Sequence, residues 1–412
     1  MSPLKLAEFL KQIPKTDLHV HLDGSIRIST LIELAKKENI KLPAYTEDGL
    51  NELVFKERYE DLLAYLQGFG YTVPVLQTPE NLERVSYEFA LDTLQDGVCY
   101  VEVRFAPQLH VNSKQDMDQV LLSVNKGMNR AKTEYNSRPE VKSGVLPEFN
   151  YGIIVCAMRA FFNGMSPYFD SFLKLHKYSE LNSIYSMASL ELIRACIQAR
   201  DKYQLPIVAF DLAGPEAGNP AVYHQEAFQY AHKNFMNVTV HAGEAYGPES
   251  IFQAITDLYA DRIGHGYYLF SKDKVASPTI KDKANYVSQL AKYVANRRVT
   301  LEVCLTSNLQ TIPLIGEIQN HSFREMLKEK LSTTLCTDNR TVSKTCMTKE
   351  LLLAIQHFGL TPQALKEIVL CGFEHSFYPG SYVQKTQYLN LVKTRYELLE
   401  TDYLKTQNGK LI

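Results

Sequence analysis

The sequence predicts a (β/α)₈ barrel, and three observations carry that prediction. Short apolar runs rich in β-branched residues recur eight times along the 412 residues. Stretches with helical spacing of apolar residues separate them. The residues able to do chemistry stand at or just past the ends of the runs, where a barrel gathers its working side chains. An open, doubly wound sheet is the competing arrangement. The barrel is preferred because ligands from separate strand ends must converge.

The strand-like runs cover residues 16–21, 98–105, 150–157, 206–212, 238–241, 262–265, 300–305 and 333–337. Most are continuous Val, Ile, Leu and Cys with little alternation. Such runs suit a parallel sheet covered on both faces. Residues 30–39, 81–96, 187–204 and 279–296 place apolar side chains at helical spacing. The connection between the first two runs is long and includes an apolar excursion over 45–79, with Phe69, Tyr71, Val73, Val75 and Leu76. Two readings of it are open: a lid over the site, or a helical pair on the barrel flank. Residues after about 345 read as a helical C-terminal region. The whole of 1–412 is expected as one unit.

Composition narrows the function. The formal charge is −2 and lysines and arginines are dispersed, so no nucleic-acid or anionic-membrane partner is expected. No apolar run approaches the roughly 20 residues that span a bilayer. No secretory or transit pattern stands at the N-terminus. The seven cysteines form no CxxC pair. Buried, reduced thiols and a cytoplasmic location are the expectation.

Four segments carry the chemistry: His19-Val20-His21, His241-Ala242-Gly243-Glu244, Gly264-His265-Gly266 and Thr337-Asp338-Asn339. Strand side chains alternate, so His19 and His21 project to one side. Alone, a His-x-His is more often two half-exposed strand histidines than a ligand pair. His241 and Asp338, at other strand ends, change that balance. Three imidazoles and a carboxylate suit zinc and leave a position for water. Glu244 follows His241 on the same loop and is a candidate general acid; a carboxylate at a helix N-terminus is its bland reading. His265, between two glycines, is a candidate proton carrier or else a satisfied core histidine. The fourth run ends Asp211-Leu212-Ala213-Gly214 without a lysine, which favours one metal over two.

Taken in order, these motifs resemble the adenosine deaminase family. The resemblance rests on residues 16–25 (TDLHVHLDGS), 100–105 (YVEVRF), 211–214 (DLAG), 241–244 (HAGE), 262–266 (RIGHG) and the Thr337-Asp338 pair, and it runs from about 14 to about 380. It implies a barrel enzyme that hydrolyses adenosine, and 2′-deoxyadenosine, to inosine and ammonia. His19, His21, His241 and Asp338 would bind one zinc ion per chain. Glu244 would protonate purine N1, His265 would take a proton from the activated water, and Asp338 would orient it. Asp23 would touch the ribose and the Gly214 N–H a ring nitrogen, with His21 also beside the substrate. Asn339 stands where many members have a second aspartate against purine N7; an amide donates there at any pH. The implied partner is a small purine nucleoside. Adenine, AMP and modified adenine nucleosides are the alternative substrates.

Overall fold

The computed structural model describes residues 3–406; residues 1–2 and 407–412, the ends of the expected 1–412 unit, lie outside the described residues. Eight strands follow one another around a single sheet: β1 (Lys15–His21), β2 (Val98–Phe105), β3 (Asn150–Met158), β4 (Ile207–Ala213), β5 (Asn237–Ala242), β6 (Arg262–His265), β7 (Thr300–Val303) and β8 (Thr333–Leu335). Every neighbouring pair from β1 to β8 is parallel. Closure between the last strand and the first is made at one bridge, Val20 to Asp338. There the His21 N–H donates to the Asp338 carbonyl at 2.7 Å, and the Asp338 N–H to the His19 carbonyl at 2.8 Å. The fold is a (β/α)₈ barrel whose seam runs through three of the candidate site residues.

Nearly every strand residue is buried, as the continuous apolar runs predict. Two strands stop earlier than the sequence suggests. β7 ends at Val303 because Leu305–Thr311 coils into a helix, with the Asn308 N–H on the Cys304 carbonyl. β8 ends at Leu335, and Asp338 just beyond it has φ +60°, outside the strand region. A helix over Met117–Asn136 was not singled out above; Asp116 and Gln119 cap it reciprocally, and Val120, Leu121, Val124 and Met128 form its buried face.

The excursion after β1 folds as short helices, Glu47–Leu53, Leu62–Leu66 and Phe69–Thr72, and a 3₁₀ turn, Val73–Leu76. It lies over the barrel mouth. The Tyr65 hydroxyl meets Asn339 Nδ2 and Ser343 Oγ at 2.7 Å each, and the Tyr59 N–H donates to the Gln310 carbonyl. All three partners follow β7 or β8, so the lid reading holds. The C-terminal region is helical, with Met347–Phe358, Pro362–Glu374 and Tyr382–Thr406. Among the described residues no helix is long and apolar enough to cross a membrane.

Two buried histidines in the segments after β2 and β4, His110 and His224, add acid sensitivity to the fold. Burial lowers His110 to about 4, and burial with the Arg159 charge lowers His224 to about 3. In the unfolded chain both return to about 6.5. Below that pH the unfolded chain binds protons that the fold refuses, so stability falls as pH falls. By pH 5 the loss is about 2 kcal/mol for each ring. The urea midpoint of metal-free protein should therefore fall less between pH 7 and pH 5 in His224→Gln than in the unmutated protein. An equal change in both contradicts this.

Candidate active site

The barrel mouth brings His19, His21, His241 and Asp338 together, with one ligand atom of each within 4.8 Å of all the others. His21 Nε2 and His241 Nε2 are 3.2 Å apart. Asp338 Oδ1 stands 3.5 Å from His19 Nε2 and 3.6 Å from His21 Nε2. The His19 ring fits because Gly264 lies beneath it: a Cβ there would come within 2.9 Å of His19 Cε1. His19 and His21 share a face of β1, as alternation requires.

Two imidazoles have their outer nitrogens fixed by buried carboxylates. His19 Nδ1 donates to Glu302 Oε2 at 2.8 Å, and His241 Nδ1 donates to Asp211 Oδ1 at 3.1 Å. Each Nε2 is thereby left as a lone pair turned inward. His19 Nε2 has no hydrogen-bond partner among the described residues although it is fully buried. Arg104 braces both carboxylates at 2.9 Å. Burial works against their ionisation, but the hydrogen bond from His241 and the Arg104 charge hold Asp211 below its ordinary range, and Arg104 and Arg262 do the same for Glu302. The Ser307 hydroxyl donates to Asp338 Oδ2 at 2.6 Å.

This donor set fits a divalent cation. A buried lone pair without a partner, tautomers set from behind and an oriented carboxylate are the features of an imidazole–carboxylate metal centre. Burial keeps His21 and His241 unprotonated, as ligands must be. His19 differs: burial lowers it, but the Asp338 and Glu302 carboxylates outweigh burial and raise it. A cation here competes with the proton that this shift favours on His19.

A second group overlaps the first: Glu244, His265 and Asp338 also converge. His265 Nε2 lies 3.6 Å from Glu244 Oε2. Burial first, then the Asp338 and Glu216 charges, push the Glu244 carboxyl well above the usual range, which favours the form that can donate a proton. The loop carrying Glu244 is held by Glu216. That carboxylate accepts from the N–H groups of Gly243 (2.7 Å), Glu244 (3.0 Å), Ala245 (2.6 Å) and Tyr246 (2.9 Å), and from the Ser250 hydroxyl. His265 and Asp338 both occupy the left-handed region, at φ +65° and +60°. Each is the middle of a tight turn, closed by Gly266 N–H to Gly264 C=O and by Asn339 N–H to Thr337 C=O. Non-glycine residues adopt this backbone uncommonly.

The remaining candidates line the same mouth. Asp23 is buried with Oδ1 unpartnered among the described residues, and burial together with Asp338 pushes its carboxyl up to about 7. Gly214 follows β4 directly at φ +96°. Asn339 is buried over Gly24, where any Cβ would strike its Oδ1, and its Nδ2 donates to Tyr65. The site is closed: His21, the most exposed of the four clustered side chains, keeps 13% of its side-chain surface.

A family model described as adenosine deaminase matches residues 14–166 and 181–394. The chain belongs to the adenosine deaminase family. An adenosine deaminase of Vibrio atlanticus is 34% identical over 366 residues, covering 89% of this chain and 94% of that protein. One of Mycobacterium avium is 33% identical over 405 residues, covering 97% and 99%. Among solved structures, an amidohydrolase of Burkholderia ambifaria with bound Zn superposes with a TM-score of 0.75 at 18% identity, covering 98% of this chain and 96% of that one. At that identity the likeness concerns the barrel.

Several residues that position the clustered side chains escaped the sequence reading. Glu302, Asp211 and Arg104 were visible as charges inside apolar runs, which must be paired to be buried. Which imidazole each carboxylate would hold was not. Glu216 had no signal beyond standing two residues after Gly214. Ser307, Asn308 and Tyr65 had none.

Proposed function

We propose that the protein hydrolytically deaminates adenosine, and 2′-deoxyadenosine, to inosine and ammonia. The observation that carries this is the overlap of two groups at one barrel mouth: a four-residue ligand set and, sharing Asp338, a buried carboxylic acid beside an imidazole. Membership of the adenosine deaminase family supports it. His19, His21, His241 and Asp338 would hold one zinc ion per chain, and no lysine stands at the end of β4 to favour a second. A bound zinc ion supplies Lewis-acid chemistry, making water a competent nucleophile near neutral pH.

The chain's own residues do the rest. Glu244 gives its proton to purine N1, which makes C6 electrophilic. Asp338 and His265 hold the attacking water against C6. The C6–O bond forms, the C6–N bond breaks, and of the two water hydrogens one leaves on ammonia and one restores Glu244. Asp23 contacts the ribose and the Gly214 N–H a ring nitrogen, with His21 beside them. Asn339 uses one amide hydrogen on Tyr65 and offers the other to N7. Residues 1–412 act as one metal-dependent hydrolase unit. The cytoplasm is its proposed location, supported by seven free cysteines.

An ultraviolet assay of adenosine, 2′-deoxyadenosine, adenine and AMP, with ammonia measured in parallel, tests this. The two nucleosides should show the highest kcat/KM. Preference for adenine or AMP overturns the nucleoside assignment, and absence of ammonia from all four overturns deamination. Glu216→Gln, which leaves backbone donors of the Glu244 loop without an acceptor, should lower turnover by roughly tenfold or more, as loss of an outer-shell partner does. Wild-type turnover would show that the loop holds without it.

A further inference from the structure

Beyond the metal-binding and acid residues, a directional chain of hydrogen bonds ends on His265. It starts at a group that can only donate: the Phe323 backbone N–H gives a hydrogen bond to His321 Nδ1 at 3.0 Å. A ring nitrogen that accepts is bare, so the His321 hydrogen is on Nε2. His321 Nε2 lies 3.1 Å from Asn308 Oδ1, which accepts it. That contact settles the orientation of the Asn308 amide. Its Nδ2 therefore faces, and donates to, His265 Nδ1 at 3.1 Å. His265 Nδ1 is bare in turn, and its single hydrogen is on Nε2. His265, Asn308 and His321 are all buried, so water does not compete for these bonds.

We propose that Asn308 and His321 are positioning residues whose hydrogen-bond relay, anchored on the Phe323 amide, fixes the ring of His265 as its Nε2–H tautomer. The proposal deepens the reading of His265 as a site residue. The Nε2 side is the one that faces Glu244. His265 thus presents an N–H to the reacting centre and holds the oxygen of the attacking water as a donor. This replaces the expectation that the ring collects a proton at that nitrogen. His321 and Asn308 reach the site from the segments after β7, whereas His265 ends β6, so the relay also ties two strands' loops together at the mouth.

Protein labelled with ¹⁵N-histidine tests the relay directly, because bare and protonated ring nitrogens resonate at well separated frequencies. The His265 signals are those lost in His265→Asn. In the unmutated protein Nε2 should carry the hydrogen and Nδ1 should be bare. Asn308→Asp replaces the donor by an acceptor of the same shape, and the hydrogen should move to Nδ1. Its kcat for adenosine should fall by roughly 10–100-fold, the range for an orienting partner of a site histidine. KM and metal content should hold. His321→Phe should lower kcat in the same sense while leaving metal content unchanged. A hydrogen on Nδ1 in the unmutated protein overturns the proposal, whether or not either variant folds. So does Asn308→Asp with the hydrogen still on Nε2. If the tautomer is as stated but adenosine is not deaminated, the substrate assignment fails and the relay stands.

Discussion

Glu244→Gln is expected to keep its metal and its stability while losing most of its turnover, on the order of 10²–10⁴-fold, the usual contribution of a positioned general acid. The buried carboxyl is held toward its neutral form by burial and by the Asp338 and Glu216 charges. Glutamine is neutral and has the same shape, so nothing that packs around position 244 is disturbed. It still donates a hydrogen bond but has no proton to give to N1. The loss should therefore fall on kcat, with KM for adenosine little changed. Steady-state kinetics beside elemental analysis measures this. Near-normal kcat would remove Glu244 from its role.

His19→Ala is expected to weaken metal retention by more than about 100-fold, because loss of even an outer-shell partner costs roughly 10–100-fold. His19 is fully buried, and its Nε2 has no hydrogen-bond partner among the described residues. Glu302 loses one donor but keeps Arg104, Arg262 and Thr239, so the barrel interior stays paired. The variant should fold, as far-ultraviolet circular dichroism can show, and emerge from dialysis without metal. Full metal content after dialysis would place the ion elsewhere.

Much of the barrel was legible because its strands are covered on both faces, which leaves uninterrupted apolar runs. The ends of β7 and β8 were less so. They are set by a helix starting at Leu305 and by the left-handed backbone of Asp338, neither of which changes hydrophobic periodicity. The clustered histidines were legible because His-x-His and His-Ala-Gly-Glu are local patterns at strand ends. The groups that orient them were not. Glu302 reaches His19 across 283 positions, and Asp211 reaches His241 across 30. A buried charge announces that it needs a partner, but the partner is chosen by barrel closure. Asn339 shows the same limit: its amide was readable as a donor, while its bond to Tyr65 depends on how the lid packs.

The central claim is that one cation held by His19, His21, His241 and Asp338 makes this barrel mouth an enzyme. Metal content followed against adenosine turnover, as a chelator strips the protein and zinc is returned, tests it most directly. The account predicts about one ion per chain at full activity, loss of turnover in step with loss of metal, and recovery on adding zinc. Full turnover by metal-free protein would contradict it.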